Sequence, residues 1–202
     1  LGSANLALNN PEANNGSFVS TADGTTGNIT MDKGANLALN GNGSIGNVNT
    51  TENGTGDILI GNDKSGSVTA NNLGSEDKAF GSVSVGAGSS VTVKNILNAT
   101  KVALEKKAEV IASVINSPEL KAIGDDIKIK AENSVLGGLL SGNNSTLESK
   151  TLELADNFNV LGGAKVKAKN LSLKGKMLFA DPDWNSNASV VVANNLSGDN
   201  GS

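Results

Sequence analysis

The feature that most limits what this chain can become is a short aliphatic unit that recurs along it. Two aliphatics are separated by one residue, five residues follow, and another aliphatic closes the unit. It runs from Ile29 and Met31 to Leu37, from Leu37 and Leu39 to Ile45, and from Val83 and Val85 to Val91. It returns as Val102, Leu104 and Val110, as Ile127, Ile129 and Val135, and as Leu152, Leu154 and Val160. Alternation of period two marks a strand with one buried face. The gaps are rich in Gly, Asn, Asp and Ser, which permit tight turns. The chain reads as strand, turn, strand, many times over.

Residues 101–115 (KVALEKKAEVIASVI) test that reading, because Leu104, Ala108, Ile111 and Ile115 also recur at helical spacing among good helix formers. Two sister segments decide against a helix. DIKIKAENSVLGG (126–138) and KTLELADNFNVLGG (150–163) are poor helices, yet they repeat the same template. The template positions Leu104, Ile129 and Leu154 lie 25 residues apart, and Met177 and Phe179 continue the series. Strand-turn-strand is therefore expected over 101–115. If 25 residues made one turn of a coil, residues i and i+25 would be neighbours. Five such pairs are charged on both members: Lys101 with Asp126, Glu105 with Lys130, Lys107 with Glu132, Asp125 with Lys150, and Lys128 with Glu153. All five are opposite in sign, as cross-strand neighbours should be.

A coil of this kind cannot bury its aliphatic face alone, so stacked coils must share a continuous core. The expected fold is an all-β parallel β-helix with rungs of roughly 20 to 25 residues. Asn is abundant, and its amide can hydrogen-bond to stacked copies of itself at turns. We expect one domain over 4–202, with Leu1-Gly2-Ser3 an expression scar. Rungs are regular over 101–180 and looser over 4–100, where ANLALN occurs at 4–9 and again at 35–40. Asn185 falls in an aliphatic slot and breaks the pattern, so 181–202 reads as an end or cap.

Composition narrows the chemistry. The 202 residues contain no Cys, His, Tyr or Arg, and all 16 basic residues are Lys against 20 acidic ones. Without Cys there are no disulfides, thiolate nucleophiles or soft-metal sites. Without His the commonest general base and metal ligand is missing, and without Arg the bidentate anion clamp. A net charge of -4 with 2% aromatic residues argues against nucleic-acid binding. No apolar run is long enough to span a bilayer as a helix, and the start does not read as a signal peptide.

Acidic pairs are the only candidates for catalysis. Asp125 and Asp126 follow Gly124, and they read as a turn with both carboxylates in ion pairs. Asp181 and Asp183 flank Pro182 beside the sole Trp, Trp184. That group reads as a turn or cap, with sugar stacking on Trp184 as its functional alternative. Calcium-binding β-roll repeats are absent, and no metal or cofactor is expected. Lys165, Lys167 and Lys169 alternate with Val166 and Ala168, the pattern of a solvated strand face.

Stacked segments such as GSVSVGAGSSVTV, NITMDKGANLAL and TLELADNFNVLGGAKVKAKNLSLKG, free of Cys and poor in aromatics, resemble the passenger domains of bacterial AIDA-type autotransporters. The resemblance implies a right-handed parallel β-helix on a Gram-negative cell surface, anchored to the outer membrane or released. Its membrane contact would be a C-terminal barrel that this chain lacks. It implies adhesion, self-aggregation or biofilm formation, with partners that are further copies of the chain or host and glycan ligands. A chain free of Cys suits export through the periplasm, where disulfides would obstruct it. A glycan-processing enzyme and a passive stalk are the alternatives on the same scaffold.

Overall fold

The computed structural model describes residues 6–8, 17–20, 24–61, 64–180 and 190–198. Among them are sixteen β-strands and no helix, joined in one sheet in which the pairings are parallel. The chain returns to the same position after each circuit and builds a β-helix of about eight turns. Parallel strands need long crossovers. Here the crossover is the rest of the coil.

Each coil has three faces. The first holds 67–70, 90–93, 109–112, 128–131, 146–149 and 165–168. The second holds 96–98, 114–117, 133–136, 151–154 and 170–173. The third holds 82–85, 101–104, 120–123, 138–141 and 158–161. In the middle of the molecule one long strand bends through all three, as Ser90–Leu104 does, with a register irregularity between Val93 and Ile96 at the first corner. Residues 101–104 and 109–115 lie in strands on either side of a turn, so the segment with helical spacing is strand-turn-strand.

The 25-residue rung does not hold through the middle of the stack. Leu104 pairs with Ala122, Val110 with Ile129, Ile129 with Leu147 and Leu147 with Val166, which are steps of 18 or 19 residues. Rungs of 25 occur toward both ends, where Gly43 pairs with Val68, Asp57 with Ser82 and Lys165 with Val190. Leu104, Ile129 and Leu154 stand on the third, first and second faces in turn. A step of 25 is one full turn plus one of three sides. Every face repeats the same inward alternation, so the pattern recurs at that step without marking neighbours.

The five expected charge pairs fail with it. Lys101 instead meets Glu119 at 3.2 Å, and Lys150 pairs with Glu132. The charge rule survives in the true register. Glu109 stands opposite Lys128, and Glu148 lies between Lys130 and Lys167.

Inward columns form the core. Val91, Val110, Ile129, Leu147 and Val166 stack in register and are at most 2% exposed. Two stacked Asn pairs lie outside it, within strands and not at turns, with Asn72 donating to Asn47 at 2.7 Å and Asn195 to Asn170 at 2.8 Å.

The turn from third to first face places Gly88, Lys107, Asp126 and Asn144 at φ between 58° and 67°. Backbone hydrogen bonds link the stacked turns, from Lys107 N–H to Asp125 O at 2.8 Å and from Asp126 N–H to Asn143 O at 2.9 Å. The next residues, Ser89, Ala108, Ile127 and Ser145, are buried. The left-handed residue thus turns the chain back into the core. A side chain there costs roughly 1–2 kcal/mol, part of which a glycine returns as unfolded-state entropy. Lys107→Gly should therefore raise the thermal midpoint by about 2–4 °C, and Lys107→Val should lower it, as followed by circular dichroism on heating.

Candidate functional site: a lysine-banked groove along the stack

At the corner between the first and second faces lies a groove of about 560 Å³ that runs parallel to the solenoid axis. Its existence follows from residue size. The last inward position of the first face carries Val93, Ala112, Ala131, Ser149 and Ala168 on successive rungs, each buried and none larger than Val. Outward side chains form two banks. Lys130, Glu148 and Lys167 stand before the corner, with Thr92 and Ile111 on the rungs above. Lys94, Ser113, Glu132, Lys150 and Lys169 stand after it. From the strand of Thr92 to that of Asn194 are six strands, roughly 24 Å at ordinary strand spacing.

Charge is unevenly placed. Beside the groove the first face adds Lys128 and Lys165, with Glu109 as its one further carboxylate. This side therefore carries seven lysines and three glutamates, a balance of +4 in a chain whose total is -4. All seven lysines are exposed. Among the described residues, Lys130, Lys167 and Lys169 have no carboxylate at ion-pair distance, whereas Lys150 is taken by Glu132. The alternation at Lys165, Lys167 and Lys169 announced a solvated strand. That it borders a groove depends on which rungs lie beside it, and a single strand does not encode that.

A second groove, of about 650 Å³, crosses the second face among Asn47, Asn72, Asn95, Asn116 and Glu76. It is amide-rich and nearly uncharged. The acidic candidates lie elsewhere. Asp125 accepts the Asn143 N–H at 2.8 Å, and Asp126 sits at φ 60°, so Gly124-Asp125-Asp126 is a turn as expected. The expected ion pairs of these two residues are not formed, because Lys101 and Lys150 stand beside Glu119 and Glu132. Asp181, Asp183 and Trp184 lie outside the described residues. Among the described residues no group of three acidic, His or Cys side chains is placed to hold a metal ion, and no helix is long and apolar enough to cross a membrane. Comparison with protein-family models, with curated proteins and with solved structures gave no match.

Proposed function

We propose that this chain is a non-catalytic adhesive module displayed on a bacterial surface, which binds through side chains arrayed along the outside of the stack. The observation that carries this reading is the lysine-banked groove, an extended binding surface formed by side chains from six successive strands. Contacts of that kind are individually weak and gain strength by repetition along the axis. The resemblance to AIDA-type passenger domains supports the setting, with the chain held at the outer surface by a segment beyond it.

The test is display of the chain on a bacterium that neither clumps nor adheres by itself. Clumping of the displaying cells, absent in the empty strain, is the expected result for homotypic contact. Adherence to glycan-coated or matrix-coated surfaces without clumping is the expected result for a heterotypic adhesin. Neither behaviour would make the chain a stalk and overturn the adhesive reading.

A further inference from the structure

We infer that the groove between the first and second faces is a binding site for a linear anionic polysaccharide, laid along the solenoid axis. This deepens the adhesive reading and rests on it. Three observations select the ligand. The first is charge: the groove side holds +4 while the chain as a whole is -4, so a polyanion is attracted to this side and repelled by the remainder. Among the described residues Lys94, Lys130, Lys167 and Lys169 line it with no carboxylate at ion-pair distance, and Glu148 stands in register between Lys130 and Lys167.

The second observation is spacing. Lys130 and Lys167 stand two strands apart on the same bank, roughly 10 Å along the axis. An extended polysaccharide charged on every second sugar presents anions at a comparable interval. The third is the lining. Small apolar side chains at Ala112, Ala131 and Ala168 and the methylene stems of the lysines give a surface for sugar C–H faces, and Thr92, Ser113 and Asn194 offer partners for hydroxyl groups.

The same features disfavour other polyanions. Among the described residues that line the groove there is no aromatic side chain on which a base can stack, and the chain has no Arg to fork onto a phosphate. An acidic peptide would bring unpaired backbone N–H and C=O groups, while the backbone of the groove strands is committed to its own ladder.

The experiment is retention of the full 202-residue chain on immobilised heparin, with soluble hyaluronate and neutral dextran as competitors. The expected result is retention at low ionic strength and release near 1 M salt, where the screening length falls to about 3 Å. Hyaluronate should compete and dextran should not. The triple variant Lys130→Gln/Lys167→Gln/Lys169→Gln should weaken binding on the order of tenfold. Lys106→Gln/Lys121→Gln/Lys176→Gln, which removes the same charge elsewhere, should leave it unchanged. Absence of retention, equal weakening by both triple variants, or binding of double-stranded DNA or polyglutamate as tight as that of heparin would overturn the inference. Displayed cells that clump or adhere without polysaccharide binding would overturn this inference alone, whereas cells that do neither would overturn the adhesive reading beneath it.

Discussion

Ile129→Asp should break the stack at its centre. Ile129 is 2% exposed and lies in register between Val110 and Leu147, so a carboxylate there has aliphatic rungs above and below. Loss of the side chain costs about 2–5 kcal/mol as a cavity. Burial of an unpaired charge, or protonation to avoid it, costs several kcal/mol more. The sum is comparable with the whole stability of an ordinary domain, about 5–15 kcal/mol. Because rungs contact only their neighbours, the damage should begin locally, with proteolysis near residue 129 ahead of the rest. Lys130→Ala on the same strand points outward and should change stability by less than about 0.5 kcal/mol. Equal melting of the Ile129→Asp variant and the parent chain would contradict the assignment of residue 129 to the core.

The contrast between Ile129 and Lys130 was legible because alternation reports burial directly. Strand identity and the all-β solenoid followed from it, including strand-turn-strand over 101–115, whereas the gaps at 130–134 and 155–159 are bends inside the continuous strands Lys128–Ser141 and Thr146–Leu161 and not turns. Register was not legible. ANLALN shows why: Leu6–Leu8 pairs with Ile29–Met31, which stacks on residues 48–50 of the second face, whereas Asn36–Leu39 lies on the third. The tripeptide Leu-Ala-Leu, at 6–8 and again at 37–39, thus occurs on two faces. A pattern common to three faces recurs at each third of a turn, and the step of 25 residues is four such thirds. Val135 and Leu136 show the same limit at the scale of one residue. The template expected Val135 inside, but it is 40% exposed and Leu136 is fully buried. The chain gains a residue at the corner, and a one-residue slip exchanges inside for outside.

The groove depended on register as well. Composition shows a slightly acidic chain, and only the stacking of residues 18 or 19 apart brings Lys130 to the same side as Lys167 and Lys169. The net charge that spoke against nucleic acid is a property of the molecule as a whole. A solenoid can hold opposite balances on different faces, because each face draws on separate residues of every rung.

Gly138 provides the second large effect and separates two roles that looked alike in the sequence. Gly137-Gly138 and Gly162-Gly163 both close the repeated template. In the structure Gly162 and Gly163 form the turn from third to first face, with φ of 60° and 80°. Gly138 instead lies within the strand Lys128–Ser141, at the start of the third face, in register with Leu120 and Phe158. Its φ is 114°, outside the range of residues with a side chain, and an added Cβ would overlap the carbonyl oxygen of Leu120. Gly138→Ala should therefore cost about 3 kcal/mol or more, from backbone strain and overpacking together. That corresponds to a fall of at least about 6 °C in the thermal midpoint. Gly88→Ala is the comparison, since φ there is 67° and the nearest atom to an added Cβ is 4.0 Å away. It should cost only the conformational share, roughly 1–2 kcal/mol. If the two variants melt together, the close approach of Gly138 to Leu120 adds nothing, and the packing of the third face against the rung above must be looser than the register implies.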